Sequence, residues 1–224
     1  MITTTLCFEL RALKSSIAAD FAQKIVRFQP KIYDINGIEK EFIDWEQFHK
    51  DARKEESSSF YLTAEDGCGD PSFSLAPLRG WQMQTLTWTQ ELDREEGMGT
   101  ILKLIELDSF HSGFSALEEH LARSTKFGRN HKESTEFPGR QSLYPGMWLA
   151  AGWKNWFGPW ARRILDFEKV VSFRPAYVTD PHIIPGGIFV HLTNDPSEPA
   201  LTDIQRRFWI ETGLQDLEAS VNGL

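Results

Sequence analysis

The chain has very little cysteine: two thiols, Cys7 and Cys68, in 224 residues. A disulfide framework needs more of them, and a structural zinc site needs them close to one another or to histidine. Neither pattern occurs, and two isolated thiols suit a reducing compartment. No apolar run approaches the roughly eighteen residues that cross a bilayer. The opening stretch MITTTLCFELRALKSS has no basic segment followed by an apolar one and a small-residue cleavage site, so it does not read as a secretory signal. The expectation is a cytoplasmic protein without membrane contact.

Signatures of chemistry are equally sparse. The histidines are His49, His111, His120, His131, His182 and His191, and no two of them form a helical pair of the HExxH kind. There is no GxSxG elbow. Gly186-Gly187 lacks the spacing of a dinucleotide loop and reads as the entrance to a strand. Cys68 sits in a glycine-rich turn with no cationic neighbour to lower its pKa. No catalytic residue, cofactor site or metal site is expected on these grounds. Chain order alone does not exclude a scattered Ser-His-Asp set, so a small α+β enzyme stays as an alternative.

Basic side chains are missing from the middle of the chain. Residues 57–120 hold 3 basic and 11 acidic side chains, net −8, which equals the charge of the whole chain. The flanking parts are close to neutral. Direct nucleic-acid binding needs basic surface to neutralise phosphates, so this balance argues against it. It fits attraction to a basic protein partner, because complementary fields speed association and help select the partner. An acidic solvated surface is the plain alternative. The cluster Glu91, Asp93, Glu95 and Glu96, with Glu65, Asp66 and Asp70 as companions, is the candidate contact region; it also reads as a solvated turn or a divalent-cation site.

What the chain does have is tryptophan. Four of its eight tryptophans fall in Met147-Trp-Leu-Ala-Ala-Gly-Trp-Lys-Asn-Trp-Phe-Gly-Pro-Trp160. Such density marks either a core or a contact surface. Gly152, Gly158 and Pro159 interrupt any helix across Ala150–Ile164, so an irregular corner is expected there. Trp153, Phe157 and Trp160 are expected in the core, and Trp156 is placed among the partner-contact candidates. A scaffold or substrate-binding module using this cluster as an apolar platform is a further alternative.

Periodicity predicts strands at Ile2–Leu10, Lys31–Ile35, Phe60–Thr63, Ser72–Leu75, Trp81–Leu92, Ile101–Leu107 and Ile188–Leu192, with a turn at Asn36-Gly37. It predicts helices at Ser15–Phe28, capped by Ser15 or Ser16, at Phe42–Lys54, at Ser115–Thr125 and at Thr202–Leu217. The segment Lys126–Ser142 reads as a long loop. Strands and helices do not alternate regularly enough for a doubly wound sheet. The expected fold is a single α+β domain over residues 1–224, a mostly antiparallel or mixed β-sheet packed by helices.

Ala151-Gly-Trp-Lys-Asn-Trp-Phe-Gly-Pro159, then Pro185-Gly-Gly-Ile-Phe-Val-His-Leu-Thr193 and a terminal helix, resemble the immunity protein 52 family over residues 143–217. The family comprises small bacterial proteins encoded beside polymorphic toxins. Its members resemble inhibitors of restriction-endonuclease-like toxins, including effectors delivered by type VI secretion. The resemblance implies a non-enzymatic, stoichiometric binder of a cognate toxin, and it carries over no catalytic residue.

Overall fold

Alternating threonine and apolar residues at the amino terminus form strand β1 (Ile2–Glu9). In the computed structural model the described residues are 2–26, 28–54, 59–64, 71–78, 83–90, 103, 109–117, 142–144, 147–149, 151–174, 182–184 and 187–217. The fold is α+β, and every described strand pair is antiparallel. The chain forms two compact units, Met1–Leu104 and Ile105–Leu224.

In the first unit β1 is joined by β2 (Ile32–Ile35), β3 (Ile38–Glu41), β4 (Phe60–Thr63), β5 (Ser72–Leu78) and β6 (Met83–Gln90), in the order β1-β6-β5-β4-β2-β3. The register lines up Leu6, Leu86, Leu75, Phe60 and Ile35 across five strands. Side chains alternate between faces, so one apolar row makes one apolar face. Helices α1 (Ser15–Ile25) and α2 (Trp45–Lys54) cover it. Phe21 of α1 packs 6.2 Å from Phe73 and 5.8 Å from Trp88. Phe48 of α2 packs edge-on to Phe60 at 5.3 Å and Tyr33 at 5.4 Å.

The helices differ from expectation in detail. The buried stripe of α1 is Ala18, Phe21, Ala22 and Ile25, which turns Ile17 to solvent. The capping position is Lys14, with no side-chain cap. Ser15 is buried, and its hydroxyl donates to the Ala52 carbonyl of α2 at 2.8 Å. Phe42 is buried but precedes α2, and Trp45 is half-buried.

The second unit contains β7 (Phe110–Leu117), a hairpin of β8 (Ser142–Tyr144) and β9 (Met147–Leu149), β10 (Lys154–Phe157), a 3-10 turn at Pro159–Arg163, α3 (Phe167–Ser172), β11 (His182–Ile184), β12 (Gly187–His191) and α4 (Leu201–Glu211). Its main sheet runs β11-β12-β10-β7. Two expectations are corrected here. Ser115–Leu117 belongs to β7 and not to a helix, with Ser115 paired to Lys154 of β10, and the remainder of the expected helix lies outside the described residues. The corner at Ala150–Ile164 contains strand β10, buried at every position. In α4 the stripe is Leu201, Ile204, Gln205, Phe208 and Trp209, so Ile210 is exposed. That set is the i, i+3, i+4, i+7, i+8 face of a helix. Gly213, with φ +84°, follows the end of α4, and Leu214 beyond it is buried.

Apart from Lys103 and Ser142, the strand expected at 101–107 and the loop expected at 126–142 lie outside the described residues. Among the described residues no helix is long and apolar enough to cross a membrane.

Candidate functional site

The tryptophan-rich segment is built as a central strand. β10 has β12 on one side and β7 on the other, so its backbone is paired along both edges. Trp156 stands opposite Gly113 of β7 and Phe189 of β12. Its indole stacks on Phe189 at 5.2 Å. Trp156 is fully buried. It therefore offers no surface to a partner, and its place among the contact residues is corrected: a side chain in the middle strand of a covered sheet becomes core.

Its neighbours are organised by buried polar groups. The Trp153 indole N–H donates to the Thr193 carbonyl at 2.7 Å, and its ring stacks on His191 at 5.2 Å. The buried Lys154 ammonium lies 4.2 Å from the Trp153 ring centre, a cation–π contact. The Asn155 amide bridges both backbone groups of Gly152, accepting from its N–H at 2.8 Å and donating to its carbonyl at 2.9 Å. The Gln205 side chain of α4 donates to the Ala151 carbonyl at 2.8 Å. These bonds satisfy backbone groups where the ladder stops. Trp153 and Phe157 are in the core, as expected, whereas Trp160 is half-buried against His111, 5.0 Å away. The glycines follow from the same packing: a Cβ on Gly187 would collide with the Phe157 carbonyl, and one on Gly158 with the Phe110 carbonyl. From Ala151 to Phe157 every residue is buried.

The acidic candidates Glu91, Asp93, Glu95, Glu96, Glu65, Asp66 and Asp70 lie outside the described residues, as does Cys68.

The structure assembles one charged cluster that sequence reading missed. Asn36 and Gly37 have φ of 57° and 82°, the two positive values that a tight two-residue hairpin turn requires. The Gly37 N–H donates to the Asp34 carboxylate at 2.7 Å and fixes the turn. The β2–β3 hairpin so formed is tied to α2 through Asp51, 6% exposed. Asp51 accepts from the Tyr33 hydroxyl at 2.9 Å, the Lys40 ammonium at 2.6 Å and the Lys54 ammonium at 3.2 Å. The bond from Lys40 outweighs the cost of burial and, with the other donors, holds the Asp51 carboxyl well below the usual carboxylate range. Burial, reinforced by the bond to Asp51 and its charge, pushes the Tyr33 hydroxyl up to about 12. Neither group exchanges protons near neutral pH. The cluster is an anchor and not a proton relay.

Around this anchor the surface carries large apolar side chains. Ile38 is 63% exposed and Ile43 74%, and Tyr61 is also exposed. Among the described residues no group of three or more His, Cys, Asp or Glu is placed to hold a metal ion. The one sequence signal for this region was the Asn36-Gly37 turn. Asp51 itself reads as an ordinary polar residue of an amphipathic helix.

Compared with protein-family models and with curated protein sequences, the chain matches none.

Proposed function

We propose that this chain is a cytoplasmic, non-enzymatic immunity protein that binds and neutralises a basic, nuclease-type toxin, as its resemblance to the immunity protein 52 family implies. The observation that carries this reading is the placement of charge: the net −8 of the chain resides in residues 57–120. A nuclease must present basic surface to its substrate, and an acidic inhibitor can occupy or cover that surface. In this reading Glu91, Asp93, Glu95 and Glu96 are the contact residues, with Glu65, Asp66 and Asp70 beside them.

The test is inhibition of the purified nuclease domain encoded beside this chain's gene. One equivalent of the chain should abolish cleavage, and the association rate should fall as salt rises, because exposed charges are screened beyond about 8 Å at physiological ionic strength. Reversing Glu91, Asp93, Glu95 and Glu96 together should leave the chain folded and remove protection. A flat salt dependence, or full protection by the reversed variant, would refute the assignment of these residues.

A further inference from the structure

Among the described residues the outermost strand of the first unit has no partner beyond it. The strand order ends at β3, and all four of its residues are exposed. The register shows which backbone groups face outward. A two-residue turn makes its flanking residues, Ile35 and Ile38, a hydrogen-bonded pair. Such pairs alternate with non-bonded ones along an antiparallel ladder, so Tyr33 with Lys40 is the next. The Phe42 N–H bond to the Lys31 carbonyl, 2.7 Å, continues the alternation. Glu39 and Glu41 lie between these pairs. Their N–H and C=O groups therefore point away from β2, the geometry of an edge ready to take another strand.

The side chains say which strand. Glu39 stands directly opposite Asp34, and Glu41 follows two residues on, on the same face. Like charges directly opposite each other destabilise a pair. Among the described residues neither glutamate has an ion-pair partner. The lysine of the strand does not help: Lys40 is on the other face and is held by Asp51. A second copy of this chain is a poor occupant. Antiparallel addition across a two-fold axis matches residues of one face, which sets Glu39 against Glu39, or Glu39 against Glu41 with Lys40 against Lys40. A segment with basic residues at alternate positions meets the acidic face instead and relieves the opposition of Asp34 and Glu39.

We propose that β3 is a strand-addition site for an extended segment of a partner protein that carries Lys or Arg at alternate positions. Backbone bonds at Glu39 and Glu41 hold the segment, and its basic side chains lie over Asp34, Glu39 and Glu41. The exposed Ile38 on the opposite face takes the intervening residues. This site uses none of the residues assigned above to the toxin and does not require the partner to be a nuclease.

The test titrates the full isotope-labelled chain with a synthetic peptide of alternating lysine and threonine, and with its glutamate–threonine counterpart. The lysine peptide should bind saturably and shift the Glu39 and Glu41 amides, and the glutamate peptide should not. Glu39→Lys with Glu41→Lys should weaken the lysine peptide at least about tenfold and admit the glutamate peptide, since like-charge juxtaposition is strongly unfavourable. Glu39→Pro removes an outward N–H without breaking a bond to β2, and it should abolish binding. Should the proline variant unfold the hairpin, the charge-reversed pair decides the matter. Equal binding of the lysine peptide to wild type and charge-reversed chain would overturn the proposal, as adsorption to the general acidity of the molecule. Failure of the lysine peptide to saturate would overturn it as well.

Discussion

Replacing Asp51 tests how the edge hairpin is held. In Asp51→Ala the Tyr33 hydroxyl, 2% exposed, loses its acceptor. A buried donor left unsatisfied costs ~1–3 kcal/mol. The lysines lose less: Lys40 and Lys54 are 46% and 63% exposed, so water takes over, and the two pairs together are worth ~0–1 kcal/mol. The expected total is about 1–4 kcal/mol. Tyr33→Phe alone should cost about 1 kcal/mol, because Asp51 keeps its lysines. In the Tyr33→Phe background the penalty of Asp51→Ala should shrink, giving a coupling of about 1–2 kcal/mol. The assay is urea unfolding of the four chains at constant m-value. The pH dependence gives a second check. The folded carboxyl lies below its ordinary value, so its stabilisation is complete above about pH 4 and lost as pH falls through the lower folded value. The gap between wild type and Asp51→Ala should be flat near neutrality and close in acid. A loss under ~0.5 kcal/mol at pH 7, or a gap undiminished at about pH 2, would refute the anchor.

Three further outcomes are expected. Trp156→Ala should cost ~3–5 kcal/mol by thermal unfolding, whereas Trp156→Phe should cost much less than its volume suggests, because it also removes a buried indole N–H that has no hydrogen-bond partner among the described residues. Gly187→Ala should destabilise by ~1–3 kcal/mol in the same assay, since the added Cβ meets the Phe157 carbonyl of the paired strand. On the alkaline side, stability should fall between about pH 10 and 12, where the Tyr33 hydroxyl ionises in the unfolded chain before it does in the folded one, and Tyr33→Phe should flatten that decline.

Five of the six strands of the first unit were legible because polar residue types, threonine and glutamine above all, recur on one face and leave a period of two in the sequence, whereas β3, with a single apolar residue, was not expected. β1, β4 and β6 are cases in point, and the Asn36-Gly37 turn named its own geometry. β10 was illegible for the opposite reason. Lys154, Asn155, Trp156 and Phe157 are all buried, so both faces are core and nothing alternates. Two of the four are polar, and buried contacts with near neighbours accommodate them: Lys154 lies over the Trp153 ring and Asn155 bonds Gly152. Asp51 was hidden by distance: Tyr33 and Lys40 lie 18 and 11 positions away, and no local pattern announces a bond at that range. Trp156 looked like contact surface because tryptophan density is ambiguous between core and interface until the strand order is known. The acidic candidates lie outside the described residues, so that part of the reading rests on charge distribution alone.

The bond from Ser15 to Ala52 couples the two helices of the first unit. Ala52 lies in the last described turn of α2. Its carbonyl accepts from the hydroxyl of a residue 37 positions earlier. Helices of 11 and 10 residues are too short to persist alone in water. The first turn of α1 is therefore tied to the last turn of α2. Neither helix stands without the other, so removing the Ser15 hydroxyl loosens the pair and not one helix alone.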